Sequence, residues 1–257
     1  MIKHISPSSL GMFLKCGEQF RRRYVEGEKI PPGISARRGG AVHKAAEINY
    51  SQKVVTETDL PLADLQDAAR DNYVNEIKDN GVFIPKGELS GKDRLMDKGL
   101  NQAIEATKIY KEDIAPQNQP KLIEQRWSAD IGVGLPLLGV VDLVTKDNKI
   151  KDLKIMKRKN QAWADNELQP TVYSILAEKN NIPVDSMEYQ FIIPNKTMVH
   201  DEITTARGQG DQERLVQYIR AFMQSLESGL FVPCEPGHWL CDEKWCGYYQ
   251  TCKYRRR

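Results

Sequence analysis

Asp142, Asp152 and Lys154 stand inside two short apolar runs, "GVVDLVT" (139–145) and "KIKDLKIM" (149–156), separated by the turn residues Asp147 and Asn148. Charge is costly in such a setting, because burial disfavours ionised groups and neighbouring carboxylates repel each other. Alternation along a strand puts Asp152 and Lys154 on one face and Leu153 on the other. A hairpin closing at 147–148 brings Asp142 opposite residues 152–153, so three ionisable groups converge. A divalent cation relieves the repulsion. Mg²⁺ or Mn²⁺ takes oxygen ligands from one or two carboxylates and keeps several waters. A water made acidic by the metal can attack a phosphodiester, with Lys154 orienting it and adding positive charge at the transition state. Taken alone, D-x-K is a weak motif, since two solvated acids on a hairpin's outer face would leave the same letters.

A second set of residues has ligand chemistry of its own. His43 and Glu47 are four apart on a helical pattern and so share a face, and a neutral imidazole is a ready metal ligand. Five cysteines occur, four of them crowded into "CEPGHWLCDEKWCGYYQTC" (234–252), with Cys16 far upstream. An odd number, crowded at one end, points to metal rather than to a disulfide framework. On residue types alone a zinc site, with His238 as one possible member, and an iron–sulfur cluster both fit. Trp239, Trp245, Tyr248 and Tyr249 are expected to pack around it and keep water out. Basic residues gather at "RRRY" (21–24), "ARR" (36–38), "KIMKRK" (154–159) and "KYRRR" (253–257). Arg37, Arg38, Lys157 and Arg158 are the candidates for phosphate contact. Trp127 and Trp163 read better as core than as stacking platforms.

These groups need elements to position them. Ser6 can cap a helix running through "SLGMFLKCGEQFRRRYVEG", and 29–40 is a loop by composition. Helical periodicity extends from Ala41 to about Tyr110, broken at 79–91, and 115–120 is a linker. Three hairpin-joined strands follow, then a helix near 170–181 with Pro170 in its first turn, a fourth strand at 186–194, and an amphipathic helix at 211–229 ending at a glycine. The fold class is α/β (mixed α+β): a small mixed sheet flanked by helices, with a helical N-terminal portion and a C-terminal cysteine segment. One domain over 1–257 is expected, helical in 1–115, with the sheet in 121–200 and the last helix and cysteines in 211–257 closing on the first helix. At 257 residues, 40% hydrophobic and 28% charged, the composition suits a folded protein, and a net charge of +2 argues against a general nucleic-acid coat. No apolar stretch is long enough for a bilayer, and "MIKHISPSSLGMFLKC" lacks a secretory core, so a cytoplasmic protein with reduced thiols and no membrane partner is expected.

Read in order, "GGAVHKAAE" (39–47), "IEQRW" (123–127), "GVVD" (139–142), "DLK" (152–154) and "QPTVY" (169–173) resemble the PD-(D/E)XK nuclease superfamily, in its RecB-like branch of exonuclease V, AddB-type subunits and CRISPR adaptation nucleases. The resemblance spans nearly the whole chain. It implies a restriction-endonuclease-like core, with Asp142, Asp152, His43 and the Leu153 carbonyl as ligands of Mg²⁺ or Mn²⁺. It makes Lys154 the catalytic lysine, Glu124 a supporting acid, and Gln169 and Tyr173 substrate-side residues. It also implies a [4Fe-4S] cluster on Cys16, Cys241, Cys246 and Cys252, with zinc as the alternative, and leaves Cys234 over. Two departures stand out: Ile155 where the family often has a small hydroxyl residue, and Pro170 within Q-x-x-x-Y. The expected activity is a metal-dependent deoxyribonuclease, an exonuclease on single-stranded DNA ends in recombination, repair or phage DNA metabolism of a bacterial or phage-infected cell. Lacking a G-x-x-x-x-G-K-[ST] loop, the chain would rely on a separate helicase or recombination partner. The rival reading is a catalytically weak nuclease fold kept for DNA or protein contact, with a structural zinc or iron–sulfur site.

Overall fold

The computed structural model describes residues 2–255, so Arg256 and Arg257 of the terminal basic run lie outside the described residues. Ser6 accepts the backbone N–H of Ser9 and, with Pro7 in the first turn, starts α1 (Pro7–Lys15). The chain turns extended at Cys16 and re-enters helix as α2 (Gly17–Phe20), continued by a π-helical turn to Val25. The unbroken N-terminal helix expected from periodicity is therefore split at its cysteine. Gly17 is required there: a Cβ would lie 2.7 Å from backbone atoms of Val232, whose carbonyl accepts the Gly17 N–H.

α3 (Ile34–Thr56) begins seven residues before Ala41, inside the stretch that composition assigns to a loop. Tertiary anchors override the two glycines at 39–40. Arg37 donates to the Gly81 carbonyl and to Glu76, while Arg38 donates to Gln102 Oε1 at 2.6 Å and to the Ile155 carbonyl at 3.3 Å. A break missed by periodicity separates α3 from α4 (Leu62–Asn80): Glu57 takes a left-handed turn and Asp59 receives Asn49 and Lys53 from α3. α5 (Lys92–Ile109) completes this helical layer.

The sheet has the order β1 (Pro120–Ala129), β2 (Leu137–Thr145), β3 (Lys149–Ile155), β4 (Ser186–Ile193), β5 (Val199–Thr205). All pairs are antiparallel except β3–β4, which is parallel and joined through α6 (Gln161–Asn166) and α7 (Leu168–Lys179). β5 was not expected. Its sequence "VHDEITT" carries charges in mid-strand, and these are served by an edge position where His200 meets Glu202 and Gln190 reaches across from β4. α8 (Gln209–Ser228) ends at Gly229 as its pattern predicts.

Two apolar layers sandwich the sheet. α3, α4 and α5 pack on Leu143, Leu153, Ile155 and Ile192, while α1, α7 and α8 pack on Val141, Val144, Ile150 and Met187. This is a mixed α/β architecture with a five-stranded mixed sheet flanked by helices. No described helix is long and apolar enough to cross a membrane.

Candidate active site

The β2–β3 ladder runs through Val144↔Ile150 and Leu143↔Lys151 and goes no further, so the two strands part where Asp142 and Asp152 stand. On the other side, the β1–β2 register of Ile123↔Leu143 and Gln125↔Val141 places Glu124 opposite Asp142. Glu124 has φ +48°, a left-handed conformation that side chains other than glycine avoid, and such strain persists only where the surroundings fix it. His43 comes down from α3 with Nδ1 3.3 Å from Asp142 Oδ2. One ligand atom from each of His43, Glu124 and Asp142 lies within 4.8 Å of the other two, and among the described residues this is the group dense enough in donors to hold a metal ion. For an octahedral ion bound at about 2.1 Å, ligand atoms on opposite sides stand about 4.2 Å apart, so the group has the right size.

The electrostatics describe a place short of positive charge. Asp142 is pushed up to about 6 by burial and then by Asp152, with His43 and Lys154 opposing. Glu124 is pushed up to about 7 by desolvation and then by Asp142. Asp142 Oδ2 and Asp152 Oδ1 are buried without accepting a hydrogen bond. Asp152 has an ionic partner instead: Lys154 Nζ lies 2.6 Å from its Oδ2. Burial opposes the charge on Lys154, but Asp152 and Asp142 overcome it and raise its pKa, so the amine stays an ammonium.

Lys154 is held from a second side by α7. Its Nζ donates to Gln169 Oε1 at 3.2 Å, Gln169 Nε2 donates to Tyr173 Oη at 2.7 Å, and the Tyr173 hydroxyl donates to the Val140 carbonyl. Pro170 is tolerated because it sits in the helix's first turn, where no intrahelical bond is lost. The close approach of α7 to β2 depends on Gly139, since a Cβ there would be 2.9 Å from the Tyr173 ring. Sequence reasoning missed Tyr189. It pairs with Asp152 in the β3–β4 register, its ring lies 5.7 Å from Lys154 Nζ, and its buried hydroxyl accepts and donates no hydrogen bond. Only the parallel placement of β4 beside β3 could have signalled it.

Two grooves are lined in part by residues of this centre. One of about 400 Å³ opens over His43, Glu124 and Asp142. The other, about 1030 Å³, runs from Gln169 and Tyr173 along α1 to Trp239.

The sequence profile of the PD-(D/E)XK nuclease superfamily matches residues 4–255. The chain belongs to that superfamily. Its fold is also that of a protein from Eubacterium rectale designated a candidate exonuclease, at TM-score 0.61 and 12% identity, with 99% of this chain and 90% of that one covered. SSO0001 aligns over 100% of this chain and 89% of its own at 12% identity, with a TM-score of 0.45, too low to carry an argument. No curated protein matches the chain. Within the family's pattern, His43, Glu124, Asp142, Asp152, Lys154, Gln169 and Tyr173 all come to one place, although the tight donor group contains Glu124 and leaves Asp152 paired with Lys154.

Arg37 lines the smaller groove, but both it and Arg38 are engaged within the fold. Both are only 8% exposed and hold α3 to its neighbours. Lys157 and Arg158 are exposed beyond β3, with Arg158 paired to Asp201. Trp127 is buried and Trp163 packs on Tyr189 and Phe191, as core residues do.

All five cysteines line one pocket between α2 and the C-terminal segment, Cys234 included, with the Cys234 N–H donating to Cys16 Sγ at 3.4 Å. Burial, then Cys16 and Cys241, push the Cys234 thiol up to about 12. His238 is not part of this pocket; its Nδ1 accepts the Leu240 N–H. Tyr248 is buried beside the thiols, but Trp239 and Trp245 are 60% and 55% exposed and meet edge-on at 6.0 Å, outside rather than around them.

Proposed function

We propose that the chain is a divalent-metal-dependent deoxyribonuclease acting as a single unit, an exonuclease on single-stranded DNA ends, hydrolysing phosphodiesters at the fork between β2 and β3. The observation that carries the reading is the set of buried carboxylate oxygens at Asp142 and Asp152 that accept no hydrogen bond, beside a donor group of ion-binding size. Hard oxygen donors with one imidazole fit Mg²⁺ or Mn²⁺. His43, Glu124, Asp142, Asp152 and the Leu153 carbonyl would hold it, and when bound it would acidify a water and neutralise charge on the phosphate.

The chain's own groups supply the rest. Lys154, kept protonated by its two acids, faces the phosphoryl oxygens as negative charge grows on them. Gln169 fixes the ammonium, and Tyr173 fixes Gln169. The water gives up a proton to solvent as its oxygen bonds to phosphorus, the bridging P–O bond breaks, and the departing alkoxide takes a proton back from solvent. The exposed Lys157 and Arg158 would neutralise backbone phosphates, making binding salt-dependent.

For the thiols we propose a [4Fe-4S] cluster on Cys16, Cys241, Cys246 and Cys252. All four line the same pocket between α2 and the C-terminal segment, as ligands of one cluster must. Its role would be a clasp between the first helices and the last segment. Recombination, repair or phage DNA metabolism is the setting, with unwinding left to a separate protein.

The test is cleavage of end-labelled single- and double-stranded DNA with Mg²⁺ or Mn²⁺, beside Lys154→Ala. Cleavage lost with EDTA and with the substitution supports the reading. Equal digestion by both proteins sinks it and leaves the DNA-binding module. Iron and sulfide analysis of anaerobically purified protein tests the cluster, and equimolar zinc in a colourless sample would end it.

A further inference from the structure

The larger groove has a feature that neither catalysis nor the thiol pocket uses. Its wall is built by α1, the start of α7 and the cysteine segment, and it encloses about 1030 Å³. At one end lie Gln169, which accepts a hydrogen bond from Lys154, and Tyr173, which accepts one from Gln169. At the other stands Trp239, with its indole 60% exposed. Trp245 meets that ring edge-on at 6.0 Å and the His238 ring lies tilted against it at 5.5 Å, which leaves most of the residue open to solvent. Between the ends the lining mixes apolar side chains such as Met12, Leu14 and Leu168 with Lys15, His4 and the hydroxyls of Ser6 and Ser8.

A large exposed aromatic ring in a groove is costly to leave in water and marks a recognition surface. Apolar floor, a few donors and one open aromatic face match a strand whose bases are unpaired, because every base has a face to stack and every phosphate accepts hydrogen bonds. A duplex keeps its bases stacked on each other and offers nothing to the indole.

We infer that this groove carries single-stranded DNA to the catalytic fork and that Trp239 is the platform on which a base stacks. This rests on the nuclease reading and adds the strand path and a specificity residue to it. The strand runs from Trp239 past α1 and Gln169 to the fork, and beyond it into the smaller groove over His43 and Glu124. Leu240, next in sequence to Trp239, lines both this groove and the thiol pocket, so the platform is seated on the cysteine segment.

The test measures binding without cleavage. A fluorescein-labelled twelve-residue oligothymidylate and a duplex of equal length are titrated in EDTA against wild type, Trp239→Ala and Trp239→Phe, following anisotropy and intrinsic tryptophan quenching. Trp239→Ala is expected to weaken single-strand binding by about 5- to 150-fold, the worth of one base–aromatic stack. Trp239→Phe is expected to recover most of that loss, duplex binding to stay unchanged, and quenching to shrink in the alanine variant. Because the indole is mostly exposed, both variants should melt with wild type. Undiminished single-strand binding by Trp239→Ala, or an equal loss on duplex, would overturn the inference. A wild type that binds through Trp239 but cleaves nothing with Mn²⁺ would instead refute the nuclease reading, so the two failures are distinguishable.

Discussion

Replacing Lys154 with methionine keeps most of the side chain's volume and removes the charge. In the folded protein its ammonium sits 2.6 Å from Asp152 Oδ2, with that carboxylate 7% exposed and the lysine 26% exposed. Taking one partner from a buried ion pair costs roughly 3–5 kcal/mol, because the other charge stays desolvated and uncompensated. The partial exposure of Lys154 selects the lower end, about 3 kcal/mol. For a chain of this size each kcal/mol moves Tm by about 2–4 °C, so the metal-free variant should melt about 6–12 °C lower. A divalent ion replaces the lost positive charge at the same acids, so adding Mn²⁺ should narrow that gap. Activity should not follow: loss of a charge aimed at the phosphoryl oxygens is worth about 10²–10³ in kcat. Differential scanning fluorimetry with and without Mn²⁺, run beside a cleavage assay, separates the two effects. A metal-free Tm within about 2 °C of wild type would make Lys154 a solvated surface charge, and wild-type cleavage would remove it from the catalytic set.

Gly139→Ala forces a methyl to within 2.9 Å of the Tyr173 ring and 3.1 Å of Leu176; overpacking of this kind costs about 1–3 kcal/mol, so urea midpoint and kcat should fall together as Tyr173 and Gln169 shift. Arg38→Ala should cost about 2–3 kcal/mol by thermal melting, from the lost charged donors to Gln102 and the Ile155 carbonyl, and leave the salt slope of DNA binding unchanged. Lys157→Ala should do the reverse, sparing Tm and lowering that slope by about one. Glu202 is held down at about 2 by its hydrogen bond with His200, with Gln190 helping. A carboxylate with a depressed folded pKa stabilises fully above its unfolded value and loses that contribution as pH falls. The urea-midpoint gap between wild type and Glu202→Gln should therefore be full near pH 5 and close toward pH 2.

Much of this centre could be read from spacing because strand chemistry is short-range. Apolar runs around Asp142 and Asp152 fixed a hairpin, and the turn at Asp147–Asn148 set its register to within a residue. Where long-range contacts decide, local patterns misled. Gly39 and Gly40 read as loop, but two buried arginines and their acceptors on α4, α5 and β3 hold the segment helical. The charges of "VHDEITT" hid an edge strand whose partners come from β4. Glu124 was legible as a strand acid, yet its place beside His43 and Asp142 follows from a left-handed backbone that no periodicity announces. The exposure of Trp239 and Trp245 escaped for the opposite reason: residue type favours burial, and the irregular segment that carries them gives no pattern from which an outward face can be inferred.

Direct binding of the ion tests the centre most sharply. Free Mn²⁺ gives a six-line electron paramagnetic resonance signal that fades on binding, so titration counts sites without cleavage. Wild type should take up Mn²⁺ at the fork, and His43→Ala and Asp142→Asn should each lose that site while remaining folded by circular dichroism. Undiminished uptake by folded Asp142→Asn would contradict the claim that these acids and the imidazole grip one cation.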